Sequence, residues 1–198
     1  MPEEKAFRIS AVVLAAGAGR RFGDGGKLLA PFGDDRLIDG ALRAALTAPV
    51  DEVALVVGAR GDAVAAHAQG RWPDPRLRPV VAPDWAKGLS ASLAAGIHAV
   101  EGADAAFVFL GDMPRIPTAV LDPLAEAVRR GAAAAAPWRD GRRGHPVLFS
   151  AALFPSLRTL TGDQGGGRLL GELGEAVARV AAPDDGVLFD VDRPDDLP

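Results

Sequence analysis

The residues of this chain best suited to chemistry are a few cations and carboxylates set just past the ends of apolar runs. Residues 10–27 read Ser-Ala-Val-Val-Leu-Ala-Ala-Gly-Ala-Gly-Arg-Arg-Phe-Gly-Asp-Gly-Gly-Lys. The apolar run Ile9 to Ala16 is followed by five glycines, Arg20, Arg21 and Lys27. Glycines strip side chains from a loop, so its backbone N–H groups can approach a ligand closely. Bare N–H groups beside three cations suit a polyphosphate anion such as a nucleotide. A plain turn is the competing reading, and two named phosphate loops are excluded. The P-loop needs Ser or Thr after Gly-Lys, and here Leu28 follows Gly26-Lys27. The dinucleotide fingerprint needs G-x-G-x-x-G opening into a helix, with an acid closing the second strand. Here Gly17, Gly19 and Gly23 give G-x-G-x-x-x-G, Pro31-Phe32-Gly33 interrupts any immediate helix, and Val57-Gly58-Ala59-Arg60 ends the second strand without an acid.

Asp112 follows the apolar run Ala105 to Leu110, where an aspartate can hold Mg²⁺, a cation content with one or two carboxylates plus phosphate oxygens and water. As a turn former before Pro114 it has a structural reading of equal weight. Asp190 and Asp192 sit two apart, so on a strand they face one side, and either could supply a second carboxylate. Ser90 and Ser92 suit a ribose or base, or the cap of a helix. His145, in Arg142-Arg143-Gly144-His145-Pro146, could contact a ligand, though a lone histidine is more often structural. No histidine pair has zinc spacing, and no serine has a histidine–aspartate partner set.

Strands at 9–16, 53–57, 78–82, 105–110, 132–136, 146–149, 177–181 and 187–191 are expected from apolar runs and their flanks. Helices are expected at 37–46, 62–69, 89–100, 117–130, 151–160 and 167–173. The alternation predicts an α/β fold of three layers (α/β/α), Rossmann-like, with a mostly parallel central sheet. Ligands then sit outside the carboxyl ends of the strands. One domain over 1–198 is expected, with a nucleotide-binding half at about 1–115 and an acceptor-binding half at about 116–198.

The chain has 198 residues, 48% of them hydrophobic, enough for a full core. No apolar run is long enough to span a bilayer and no charged-then-apolar leader is present, so a cytoplasmic protein with no membrane partner is expected. The absence of cysteine excludes disulfides, thiolate metal sites and cysteine nucleophiles. A net charge of −4 argues against nucleic-acid binding. Lysine occurs only at Lys5, Lys27 and Lys87, so Lys27 stands out in its loop.

Taken together, Leu14-Ala15-Ala16-Gly17-x-Gly19-x-Arg21-Phe22-Gly23 with Lys27 resembles the signature loop of the MobA-like nucleotidyltransferases. Five later segments match in order: Gly88 to Leu93, Leu110 to Pro114, Gly144 to Val147, Gly162 to Arg168 and Asp190 to Leu197. Each is weak alone; six in order are specific. The Leu-Ala-Ala-Gly form and the Gly-His-Pro segment are most similar to the molybdenum cofactor cytidylyltransferases, the guanylyl branch usually carrying a second glycine at Ala16. The resemblance implies CTP, a molybdenum–molybdopterin acceptor, Mg²⁺ and a monomer that serves a molybdenum hydroxylase client. It implies that Arg21 and Lys27 grip the triphosphate and that Asp112 and Asp192 hold Mg²⁺. The nucleotide would lie along Leu14, Ala15, Ala16, Gly17, Gly19, Gly88, Ser90 and Ser92, with His145, Asp163 and Arg168 toward the pterin. The chain departs from the pattern at Gly19, where many members have serine, at Arg193, where threonine is usual, and in a Gly23–Lys27 gap one residue longer. Guanylyl transfer, another phosphorylated acceptor, a non-catalytic delivery chaperone and a dinucleotide-dependent oxidoreductase are the rival readings.

Overall fold

A computed structural model describes residues 6–17, 19, 22, 26–163 and 165–197. β1 (Ile9–Ala15) lies at the centre of the sheet, and its alternation decides the architecture. Ile9, Ala11, Val13 and Ala15 enter one hydrophobic cluster, while Val12, Leu14 and Ala16 enter another on the opposite face. A strand buried on both faces must be covered by helices on both sides.

The other elements supply that cover. They are β2 (Pro31–Phe32), β3 (Asp35–Arg36), α1 (Leu37–Thr47), β4 (Glu52–Val57), α2 (Gly61–Arg71), β5 (Leu77–Val81), α3 (Leu89–Ala99), β6 (Ala105–Leu110), α4 (Leu121–Arg129), β7 (Ala134–Arg139), β8 (Arg142–Arg143), β9 (Val147–Ser150), α5 (Phe154–Arg158), α6 (Gly167–Leu173) and β10 (Val177–Ala181). Helices α1, α2 and α4 pack in the first cluster, and α3, α5 and α6 in the second. The sheet order is β10-β7-β9-β6-β1-β4-β5, with β8 pairing β7. β1 pairs parallel with β4 and β6, β4 with β5, and β7 with β10. β9 runs antiparallel between β6 and β7. The fold is therefore the three-layer α/β/α arrangement expected, with β8 and β9 reversed in a mostly parallel sheet, and a single sheet draws strands from both halves of the chain.

Three expectations need correction. The segment 187–191 is no strand: a 3-10 turn spans Asp185–Leu188 and the chain then runs irregularly past Asp192. Pro194 fixes the backbone there, and Asp196 Oδ2 accepts from the backbone N–H of Asp192 (2.9 Å) and Arg193 (2.7 Å), a local closure that competes with sheet pairing. Helix formation after Pro117 starts with a 3-10 turn, Thr118–Val120, before α4. Likewise 151–160 divides into a 3-10 turn, Ala151–Leu153, and the short α5. No helix among the described residues is long and apolar enough to cross a membrane.

Candidate active site

The parallel strands all end on one edge, and there a cleft of about 650 Å³ opens. Leu14, Ala15, Ala16 and Gly17, from the end of β1, line it. Two backbone bonds hold that floor. Gly111 N–H donates to the Leu14 carbonyl at 2.9 Å, and Ala59 N–H to the Ala16 carbonyl at 3.3 Å. The ends of β1, β4 and β6 are thus locked together, a rigid platform of the kind on which reacting groups must be held.

Lys27 opens a 3-10 turn, Lys27–Leu29, at the cleft. Gly19 makes room for it. Its φ is +55°, and a Cβ there would lie 2.7 Å from Lys27 Cβ and 2.9 Å from Lys27 N. A serine at this position would collide with the lysine backbone, so the family departure at Gly19 has a local steric reason. Lys27 Nζ donates to Asp112 Oδ2 at 2.7 Å and to Asp192 Oδ1 at 3.3 Å. The lysine side chain is 14% exposed, Asp112 27% and Asp192 63%. Residues 85 and 165 positions away thereby meet the glycine loop at one point.

Asp190 stands close enough to feel this group. Desolvation first, then the Asp192 and Asp112 carboxylates, raise it above the ordinary carboxylate range, and Lys27 opposes them. The edge therefore concentrates negative charge that a hard cation would relieve. Among the described residues no group of three His, Cys, Asp or Glu side chains is gathered to hold a metal by itself. Two carboxylates with space beside them suit an ion that completes its shell with phosphate oxygens and water.

The other wall of the cleft is the start of α3. Gly88, Leu89 and Ser92 line it. The Ser90 hydroxyl is buried without a hydrogen-bond partner among the described residues, and no side chain caps the helix. The start of α3 is closed instead by the loop at 162–163. Ser90 N–H donates to the Gly162 carbonyl (3.1 Å) and Leu89 N–H to Asp163 Oδ1 (3.4 Å). Asp163, expected toward the acceptor, thus sits at this wall of the cleft. Gly88, at φ +114°, permits the crossing, since a Cβ there would lie 2.4 Å from Asp163 Oδ1.

The structure brings Leu14, Ala15, Ala16, Gly17, Gly19, Lys27, Gly88, Ser92, Asp112, Asp163 and Asp192 into one cleft. Arg21 lies outside the described residues. Two expected acceptor residues are not in that cleft. Arg168 projects from α6, 70% exposed, and pairs with Glu172 at 2.9 Å. His145 packs beside β6, where burial chiefly lowers its pKa, the Val108 carbonyl opposing, and its Nδ1 is buried without a partner among the described residues. The cleft also holds residues to which sequence analysis assigns no site role: Phe22, Leu89 and Leu110, which lie inside matched motifs, and Leu28, Trp85 and Ala86. Trp85 is the notable one. It leans over Gly58, where a Cβ would lie 2.5 Å from its Cγ. Only its nearness in sequence to Gly88 and Ser92 could have signalled it.

A lysine and a carboxylate pair on one rigid edge suit nucleotidyl transfer, and the protein is a nucleotidyltransferase. More closely, the chain belongs to the family of the MobA-like NTP transferase domain, whose model matches residues 11–177. It is 35% identical to nicotine blue oxidoreductase of Paenarthrobacter nicotinovorans over 164 residues, covering 79% of this chain and 78% of the relative. It is 31% identical to the purine catabolism protein PucB of Bacillus subtilis (strain 168), covering 93% of this chain and 92% of that protein. Among solved structures it is similar to Rv0371c of Mycobacterium tuberculosis H37Rv, at TM-score 0.84 and 30% identity over 96% of this chain and 95% of that one. A complex of Rv0371C with manganese superposes at TM-score 0.77 and 27% identity, covering 96% and 95%. A nucleotidyl transferase from Methanothermobacter thermautotroptrophicus superposes at TM-score 0.77 and 29% identity, covering 96% and 94%.

Proposed function

We propose that this chain transfers CMP from CTP to the phosphate of molybdenum–molybdopterin, releasing pyrophosphate and forming the cytosine dinucleotide cofactor. The observation that carries the transfer chemistry is the meeting of Lys27 with Asp112 and Asp192 at the mouth of the glycine loop. The acceptor and the base follow from the resemblance of the Leu-Ala-Ala-Gly and Gly-His-Pro segments to the cytidylyl branch.

In this reading an oxygen of the acceptor phosphate attacks the α-phosphorus of CTP. The new P–O bond forms as the bond to the bridging oxygen breaks, and that electron pair leaves with pyrophosphate. The acceptor is already anionic, so no general base is needed. Catalysis then consists of in-line positioning and stabilisation of charge. The glycine-loop N–H groups and Arg21 hold the phosphates. Lys27 follows the charge that grows on the leaving group. Asp112 and Asp192 would hold Mg²⁺, which supplies electrostatic stabilisation of the phosphates when bound, and the manganese complex of Rv0371C supports a divalent cation here. In this reading Ala16 narrows the space beside the base, and Ser92, Gly88 and Asp163 line one wall of the cleft.

One relative is called an oxidoreductase. Against hydride transfer by a bound dinucleotide, β4 runs into Gly58-Ala59-Arg60 with no acid to take a ribose hydroxyl. The test is turnover of Asp112→Asn at saturating Mg²⁺ and CTP, followed as pyrophosphate release. A loss of at least a hundredfold with unchanged circular dichroism is expected; near-normal turnover would remove Asp112 from the reaction.

A further inference from the structure

The lysine that should face the triphosphate is found on the carboxylates that should face the metal. Lys27 Nζ lies 2.7 Å from Asp112 Oδ2 and 3.3 Å from Asp192 Oδ1, both charge-assisted hydrogen bonds. Its side chain is mostly buried, its main chain is set in a 3-10 turn where Ala30 N–H donates to its carbonyl (3.1 Å), and its Cβ is packed on Gly19. The ammonium is therefore held on the carboxylates rather than merely passing near them.

We infer that Lys27 is a built-in counter-ion that keeps the carboxylate pair closed to a free divalent cation, so that the site takes its metal only together with the nucleoside triphosphate. The inference rests on the reading that Asp112 and Asp192 are the metal carboxylates. A divalent ion bound to both must displace the ammonium or sit against it. Displacement breaks both of its ion pairs and leaves a buried positive charge with no partner. A triphosphate removes this obstacle, because its oxygens give Lys27 new anionic partners as the carboxylates turn to the metal. The exchange couples the two ligands, and linkage makes the coupling reciprocal: nucleotide tightens metal as much as metal tightens nucleotide. The glycine loop that ends in Lys27 is the place where those phosphates arrive, so the ammonium has a short way to move.

The experiment is a titration of the full chain with Mn²⁺, followed by electron paramagnetic resonance, with and without α,β-methylene-CTP. Wild type is expected to bind Mn²⁺ weakly alone and at least tenfold more tightly with the analogue. Lys27→Met and Lys27→Gln, each checked by circular dichroism, are expected to bind Mn²⁺ alone at least tenfold more tightly than wild type. Mn²⁺ affinity of the free protein that is unchanged or weakened by both substitutions overturns the inference, as does tight binding by wild type alone. Asp112→Asn separates this failure from failure of the underlying reading. If it lowers Mn²⁺ affinity in the presence of the analogue, the metal reading stands whatever Lys27 does; if it leaves that affinity unchanged, the metal reading itself falls.

Discussion

The backbone N–H of Val191 donates to the carbonyl oxygen of Asp112 at 3.1 Å. The irregular C-terminal segment that carries Asp192 is thereby tied main chain to main chain to the turn after β6. This bond, rather than a strand, sets the distance between the two carboxylates. Val191→Pro deletes the donor and should raise the Mg²⁺ concentration needed for half-maximal turnover at least tenfold. Val191→Ala keeps the N–H and loses only packing at a fully buried position, so it should cost about 1–2 kcal/mol of stability and leave the Mg²⁺ requirement alone. Mg²⁺ titrations of turnover, with urea unfolding of each variant, check both.

Lys27 should act mainly on the transition state. In the proposed reaction the backbone N–H groups of the glycine loop would serve the ground state, whereas charge on the departing pyrophosphate appears only as the bond breaks. Lys27→Ala should lower kcat by roughly a hundredfold or more, with a smaller change in KM for CTP. Lys27→Arg should restore only part, since a planar fork does not fill the place of a compact ammonium between two aspartates. Steady-state kinetics at saturating Mg²⁺ distinguish these outcomes; a change confined to KM would make Lys27 a binding group.

Gly88 joins two walls of the cleft. Its φ of +114° and the approach of the Gly162 carbonyl oxygen to 2.8 Å from a Cβ, besides Asp163 Oδ1 at 2.4 Å, leave no room for alanine. Gly88→Ala should destabilise the fold by about 1–3 kcal/mol and raise KM for CTP severalfold as the start of α3 shifts. Gly102→Ala is the control, since a Cβ there meets nothing within 4 Å, and its stability should stay within about 0.5 kcal/mol of wild type.

His145 gives the fold a pH dependence of known sign. Burial chiefly lowers its pKa in the folded state from the ordinary 6.5. Between the two values the unfolded chain binds the extra proton, so stability is complete above pH 6.5 and falls as pH drops below it. One proton contributes a slope of at most about 1.4 kcal/mol per pH unit. His145→Asn should flatten the slope of unfolding free energy between pH 6.5 and 5 relative to wild type, as measured by urea titration at each pH.

The sheet is largely legible because its central strands, β1, β4 and β6, are buried on both faces and announce themselves as apolar runs. Ala105–Leu110 and Val177–Ala181 fall where the runs end. The all-alanine stretch after Gly131 has no period, yet its last three residues open β7, which pairing with β10 carries to Trp138 and pairing with β8 to Arg139. What escaped notice depends on contacts between distant segments. The N-terminus of α3 is closed by Gly162 and Asp163, more than seventy residues away, so no local pattern could reveal what stands in for the expected serine cap. Trp85 gained its place over Gly58 through packing that no spacing encodes. The juxtaposition of Lys27 with both aspartates was implied only through resemblance, and as two separate roles rather than one ion-paired group.

The central claim is the transfer of CMP to a phosphorylated pterin, and its most direct test is pyrophosphate release from CTP and from GTP, each with and without molybdenum–molybdopterin. The account predicts release that requires the acceptor and favours CTP by on the order of ten- to a few-hundred-fold, the range that steric selection by a group such as the Ala16 methyl can give. Equal or faster release with GTP, or release that molybdenum–molybdopterin does not increase, would contradict it.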